Sequence, residues 1–264
     1  MNIQRVSFQV GRDFVAKHHY AKKSPSTVKF CHGVFEGDEL VGVLLWGFGT
    51  RPLATIKKIF PSLGTADYLE LCRLCILDKM PRNTESHVLR LSREKIMRDH
   101  PNVKVLFSWA DGMRGKPGYV YQASGWLYGG FIVSEFYRDS AGEVVHPRLL
   151  ITRFGHRDKA FAKELGLVKY KGPQFRYIQF LCGHRERKRL LRESPIKWGQ
   201  PYPKAKDLFL HSEDNQHAGE GSGESRAAVT SCQGPVQFRD PALQQNNGQL
   251  LIETWFTGGG QEKG

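Results

Sequence analysis

The stretch SWADGMRGKPGYVYQASGW, residues 108–126, sets a carboxyl and a phenol at the two ends of a glycine-rich loop. Asp111 closes an apolar run, Gly112, Gly115 and Gly118 make the following loop pliable, and Tyr121 begins a helical turn closed by Gly125 and Trp126. A carboxyl and a phenol brought together can manage protons at one reaction centre. With an imidazole they can instead hold an oxygen-loving metal such as iron. His19 and Tyr20, in HHYAKK at the end of a short N-terminal helix, supply the imidazole and a second phenol. Other roles stay open: Asp111 can cap its loop, Tyr119 competes with Tyr121 as a core aromatic, and His18 shares the stretch with His19.

A further charge stands where charges are costly. Arg73 lies between Cys72 and Cys75 in YLELCRLCIL, an apolar run that reads as a strand, so it needs an anionic or polar partner. That partner is either a structural carboxylate or a cofactor phosphate. Strand alternation sends the two thiols to opposite faces, which favours buried structural cysteines over a zinc or redox pair. Arg82 and Ser86 flank the start of the next helix, where they can meet the same anion or, for Ser86, cap the helix.

These residues need a scaffold, and its elements are legible in the pattern. Residues 3–8 read as a strand and 11–20 as a short helix. STVKFCHGVFEGDELVGVLLWG gives two strands around the turn Glu36-Gly37-Asp38. A strand over 68–77 leads to an amphipathic helix over 86–100, with Asn83 or Thr84 as N-cap. Residues 103–111 form a strand, 118–126 a helical turn, and 127–137, 146–154 and 174–182 three more strands. The order is β-α-β-β-β-α-β-α-β-β with a late strand: an α/β (α+β) mixed sheet flanked by helices.

Charge divides the chain unevenly. The total is 39 basic against 26 acidic side chains, and residues 211–264 hold 3 basic and 7 acidic ones, leaving 36 against 19, or +17, for residues 1–210. Such an excess favours a polyanionic partner. Residues 184–206 carry eight Lys or Arg around Trp198 and Tyr202, as a phosphate-contacting segment or a solvated basic helix. Beyond residue 211 the chain is Gly/Ser-rich and polar, the composition of a disordered tail. Three regions follow: a catalytic domain over 1–182, a basic extension over 183–210 and a tail over 211–264. Five scattered cysteines, no signal-peptide profile and no membrane-length apolar run indicate a cytoplasmic protein with reduced thiols and no membrane contact.

The element order and the Tyr121-Gln-Ala-Ser-Gly125-Trp126 motif resemble the GNAT acyltransferase fold, in which two parallel strands, here 69–77 and 103–110, splay to admit a thioester arm. HHYAKK, LCRLCILDKMPRNTESHVL, SWADGMRGKPGYVYQASGWLYGG and FRYIQFL further resemble the Mom family, the phage Mu-type DNA modification proteins, over residues 3–182. The resemblance implies transfer to adenine N6 in double-stranded DNA, giving a carbamoylmethyl derivative that protects phage DNA from restriction. It implies functional positions at His19, Tyr20, Arg73, Ser86, Asp111 and Tyr121, with Asp111, Tyr121 and Tyr20 catalytic. Arg73, Arg82 and Ser86 would bind the cofactor, and His19, Tyr20, Asp111 and Tyr121 would be metal ligands. It associates the family with iron and acyl-CoA. One departure stands in the phosphate loop, Arg82-Asn-Thr-Glu85-Ser-His87, where a carboxylate replaces the usual glycine. Two other functions fit the same residues: an N-acyltransferase for another amine, or a non-catalytic DNA-binding protein on this fold. Trp46, Phe48, Tyr68 and Trp109 are the candidate surfaces for stacking a base.

Overall fold

The computed structural model describes residues 1–212 apart from positions 23, 50, 143, 146, 156, 157 and 210. In chain order the elements are β1 (Asn2–Val6), α1 (Phe8–His18), β2 (Val28–Glu36), β3 (Glu39–Gly47), α2 (Pro52–Ile59), β4 (Tyr68–Ile76), α3 (Thr84–Asp99), β5 (Val105–Asp111), α4 (Tyr119–Ala123), β6 (Leu127–Arg138), β7 (Val144–Val145), α5 (Pro147–Phe154), α6 (Lys159–Glu164), β8 (Val168–Phe180), α7 (His184–Glu193) and β9 (His211–Ser212). The strands form one sheet in the order β1-β2-β3-β4-β5-β8-β6-β7, with β9 paired to β8. Among the described residues only β4 and β5 pair in parallel; β1 to β4 run as an antiparallel meander, and β8 returns antiparallel between β5 and β6. This is the mixed α/β architecture expected, and among the described residues no helix is long and apolar enough to cross a membrane.

Apolar side chains on the two faces of the sheet make separate cores. Leu44, Trp46, Leu69, Leu71, Leu106 and Tyr121 belong to one, against α3 and α4. Tyr68, Phe107 and Ile178 belong to another, which also takes in Ile56 of α2 and Leu190 of α7. The basic segment after residue 182 is therefore woven into the fold: Leu190 is fully buried, Trp198 stacks on Phe60, and the Tyr202 hydroxyl donates to the Trp126 carbonyl at 2.8 Å.

Several elements differ from the pattern reading. Residues 146–154 were expected as a strand, yet Pro147–Phe154 is helix α5; a proline is suited to the first helical position, and the short apolar set fits a helix face as well as a strand. Helix α2 goes unsignalled because it is eight residues long, although Pro52 starts it and Ile56 and Ile59 are buried one turn apart. Helix α1 begins at the N-cap Ser7 and ends at His18, so His19 and Tyr20 lie just beyond its last turn. The two thiols of Cys72 and Cys75 do not point to opposite faces. Leu45 pairs with Arg73 and Trp46 with Leu71, leaving Cys72 as the extra residue of a bulge, and both cysteines meet the same apolar cluster as Cys31. Of the tail expected over 211–264, His211 and Ser212 pair with β8, and residues 213–264 lie outside the described residues.

Candidate active site

The parallel ladder between β4 and β5 has three residue pairs, Tyr68 with Val105, Leu69 with Leu106 and Glu70 with Phe107. Past Glu70 the bulge at Cys72 and the absence of further pairing part the two strands. Ser108 bridges the parting from the α3/α4 face: its Oγ donates to the Leu71 carbonyl at 3.2 Å and lies 2.7 Å from the Tyr121 hydroxyl. Since the single serine hydrogen goes to Leu71, the phenol is the donor to Ser108. Tyr121 is buried against Trp126 and Tyr177, and burial pushes its pKa up to about 12 despite the Ser108 bond, so it is protonated at neutral pH. Gln122 fixes α4 by donating to the Tyr177 hydroxyl at 3.1 Å and to the Pro203 carbonyl at 3.0 Å.

The glycine loop that joins Asp111 to Tyr121 is shaped by contact more than by pliability. A Cβ on Gly112 would lie 2.6 Å from Phe175 and 2.7 Å from the Pro173 carbonyl. Gly115 and Gly118 adopt φ of 74° and 93°, which only glycine takes without strain. The loop thus holds Arg114 and Lys116 over the Tyr20 ring, at 4.7 and 4.9 Å from its centroid.

The His19 ring lies against that of Tyr20, tilted by 30° with centroids 4.2 Å apart, and its Nδ1 accepts from the Ala21 N–H at 2.9 Å. Burial, reinforced by Arg73, lowers its pKa to about 4, so the ring is neutral under ordinary conditions. The Tyr20 hydroxyl is raised above its ordinary pKa by burial and then by the nearby Asp111 charge. Asp111 is itself raised by burial, with Arg114 opposing. Its Oδ2 is 3.8 Å from Arg114 Nε, while its buried Oδ1 has no hydrogen-bond partner among the described residues. Arg73 donates to the Cys72 carbonyl at 2.7 Å, and its charge acts on His19, Tyr20, Cys72 and Glu70. Of the residues expected to form the site, the fold gathers His19, Tyr20, Arg73, Asp111 and Tyr121.

Two members of this cluster escaped the sequence reading: Ser108 and Glu70. The Glu70 carboxyl is half-buried beside the parting strands and accepts the Gly49 N–H; a Cβ on Gly49 would come within 2.7 Å of Glu70 Oε2. Burial pushes its pKa up to about 7, with Arg73 acting in the other direction. Its charge raises the pKa of Tyr121, across the sheet. A signal existed, because Glu70 is as anomalous in YLELCRLCIL as Arg73 is.

Arg82 and Ser86 stand apart, at the entry to α3. Arg82 lines a cavity of about 330 Å³ with Asn83 and Glu85. Ser86 lines one of about 380 Å³ with His87, Arg90, Arg93 and Ser124. Arg93 Nε is buried there with no hydrogen-bond partner among the described residues, a donor that an anionic cofactor arm would satisfy. The residues of this cavity therefore fit the phosphates of an acyl-CoA-type donor, even with Glu85 in the loop. The iron expectation fares differently. Among the described residues no three His, Cys, Asp or Glu side chains gather as a metal site. Both phenols are shifted toward their protonated forms, and Tyr121 is engaged with Ser108. This donor set does not fit a resident metal.

Against known proteins, the chain matches a family model described as the Mom protein family over residues 1–204. It is 34% identical to the methylcarbamoylase Mom of Escherichia phage Mu over 207 residues, which cover 77% of this chain and 84% of that protein. Similar solved structures include the aminoglycoside 6'-N-acetyltransferase from Enterococcus faecium, with 11% identity, a TM-score of 0.37 and coverage of 70% of this chain and 99% of that one. Another is a GNAT family acetyltransferase from Elizabethkingia anophelis with acetyl-CoA bound, with 10% identity, a TM-score of 0.35 and coverage of 68% and 97%.

Proposed function

The chain belongs to the Mom protein family, and from that premise we propose that it is a transferase that modifies the exocyclic N6 amine of adenine in DNA with a carbamoylmethyl-type group. The observation that supports the chemistry is the pair Glu70 and Tyr121, a carboxyl and a phenol that line the parting of β4 and β5 from opposite faces of the sheet. The N6 lone pair is delocalised into the ring, so the amine becomes a competent nucleophile only as its proton leaves. Glu70, poised to ionise near neutral pH, takes that proton while N6 forms its new bond. Tyr121 keeps its proton until charge builds on the leaving atom. Rotation about its C–O bond then swings the hydrogen from Ser108 to that atom.

An acyl-CoA-type donor, when bound, would supply an activated acyl carbon, with the thiolate as leaving group; the adduct on N6 is then an acyl group, and the carbamoylmethyl group is the isomer of its glycyl form, reached by rearrangement. Ser86, Arg90 and Arg93 would hold its phosphates in the cavity between α3 and α4, with Arg82 at the preceding loop. Duplex DNA is the partner on the other face. Lys29 and Arg51, together with Arg114 and Lys116 above Tyr20, place positive charge around the mouth for contact with phosphates. The modified amine faces the major groove, where an added group obstructs endonucleases that read adenine there. Such an enzyme works in the cytoplasm of a phage-infected cell. Mass spectrometry of nucleosides from cells expressing the chain tests the reading: an adenine adduct is expected with the wild type and not with Glu70→Gln. Unmodified adenine in the wild-type sample would overturn it.

A further inference from the structure

Four aromatic side chains offer stacking surfaces near the cleft, and the fold sorts them into two kinds. Trp46 is fully buried with its Nε1–H given to Ser92, and Tyr68 is fully buried with its hydroxyl given to the Pro52 carbonyl. Phe48 and Trp109 are only half-buried, and both pack on the core that contains Tyr68 and Phe107. The Phe48 ring lies 5.4 Å from that of Tyr68, and Trp109 meets Phe107 edge-on at 5.1 Å. Alternation along β4 puts Tyr68 and Glu70 on one face; alternation along β5 puts Phe107 and Trp109 on the same face. Glu70 is registered with Phe107 on one side and Gly47 on the other, and Phe48 follows Gly47 directly. The Glu70 carboxyl consequently sits between an aromatic from the β3 side and one from the β5 side.

We propose that Phe48 and Trp109 are the two walls of a base-binding site that holds an extruded adenine with its exocyclic amine toward Glu70. The inference rests on the reading of the chain as an adenine N6 transferase. A target amine in a duplex is reached only by taking the nucleotide out of the stack, and lost base stacking is made good by aromatic faces in the enzyme. The Phe48 wall is held in place before any base arrives. Its N–H donates to the Thr27 carbonyl at 3.1 Å, and its own carbonyl accepts from the Thr27 hydroxyl and, at 3.9 Å, from the Cys72 thiol. Lys29 Nζ lies 5.4 Å from the Phe48 ring, setting a cation where the phosphate of an inserted nucleotide needs one. Trp109 is fixed by its register with Arg176 on β8.

Ionised, the carboxyl between the walls accepts from the N6–H of adenine, whereas guanine and thymine present a carbonyl oxygen at the matching position, which a carboxylate repels.

The test uses the full chain and duplexes carrying 2-aminopurine opposite an abasic site with randomised flanks, so that the probe is extruded at little cost. Binding to the wild type is expected to quench the probe by stacking. Phe48→Leu and Trp109→Leu keep apolar bulk but have no aromatic face; each should leave the bound probe bright and weaken binding at least about fivefold. Trp109→Phe should retain most of both. Equal quenching and affinity in the wild type and both leucine variants would overturn the walls. Nucleoside mass spectrometry in parallel separates the two levels. Wild-type adduct levels with both leucine variants would sink the walls alone, whereas no adduct from the wild type would sink the reading on which they rest.

Discussion

On α7 charged side chains meet opposite charges in the open. Arg189 bonds Glu186 at 2.9 and 3.0 Å and Glu193 at 2.9 Å, Glu193 in turn accepts from Ser62, and Lys104 stands 3.7 Å from Glu186. At the parting of β4 and β5 the charges are half-buried and unevenly matched: Asp111 keeps an Oδ1 without a hydrogen bond among the described residues, and burial raises the pKa of Glu70 to about 7. Paired surface charges build structure at little gain. Buried, incompletely matched ones cost stability and persist where chemistry needs them. The sequence makes α7 the more conspicuous of the two, but the proposed chemistry lies in the cleft.

The comparison is put under greatest strain at Glu70. Glu70→Gln should lower turnover by about 10²–10⁴-fold, the usual range for a lost general base. It should also stabilise the fold at neutral pH. The folded-state pKa of Glu70 is raised, from 4.5 to about 7. Between those values the folded chain holds a proton that the unfolded chain has released, so this group's contribution falls as pH rises through the window and is level above it. Denaturant melts from pH 4 to 8 should therefore show the variant gaining on the wild type up to about pH 7, by something on the order of 3 kcal/mol. Wild-type turnover should rise through the same window. A variant that loses stability at pH 7 would place Glu70 with the structural charges of α7.

Tyr121→Phe should have the next largest effect. Turnover is expected to fall by about 10²-fold from loss of the acid. Stability should drop by about 1 kcal/mol, because Ser108 loses the hydrogen bond it accepts in a buried setting. Full turnover in this variant would remove the phenol from the chemistry and leave it as a core residue.

How much of this was legible follows from the range over which each signal acts. Asp111, His19 and Tyr20 were readable as candidates because they stand at or just past the end of an element, where strand and helix patterns break, and Tyr121 because it sits in the short turn α4 after the glycine loop. The apolar runs gave two strands and the helix between them, while the parting of those strands was implied by the resemblance to the GNAT fold. Ser108 was not singled out, since it lies inside a strand and acquires its meaning only from Leu71 and Tyr121, whereas Glu70 carries the same signal as Arg73, a charge inside an apolar strand. The bulge at Cys72 was equally invisible, because it is defined by the partner strand β3. Helix α5 was misread as a strand because eight residues with four apolar side chains fit either period. The charge run on α7 was legible as composition but not as pairing, which depends on where Ser62 and Lys104 fall in the fold.

A smaller effect is expected from the charges proposed to face DNA, and it sharpens the same contrast. Lys116→Glu, on the exposed rim above Tyr20, should weaken duplex binding and reduce the slope of log affinity against log salt by about 1 or more, with no change in base preference. Filter binding across a salt series would measure both. Lys188→Glu on α7 should move the slope less, and a larger effect at Lys188 than at Lys116 would transfer the DNA face to α7.

Smallest of all should be the loss of a pair on α7 itself. Arg189 links Glu186 and Glu193 and donates to the Ser62 hydroxyl at 3.0 Å, which ties the helix to the segment after α2. Arg189, Glu186 and Glu193 keep 42%, 32% and 22% of their side chains exposed, so screening by salt and the freedom lost in holding long side chains offset most of the attraction. Arg189→Ala should lower the melting temperature slightly, and the difference should shrink further at high salt. Turnover and the amount of adenine adduct should be unchanged, because the buried anchor of the helix is Leu190, which packs on Ile56 and Phe60 independently of the charge. A loss of turnover with an unchanged melt would mean that Arg189 reaches substrate in spite of its pairing, and the division between structural and working charge would have to be redrawn.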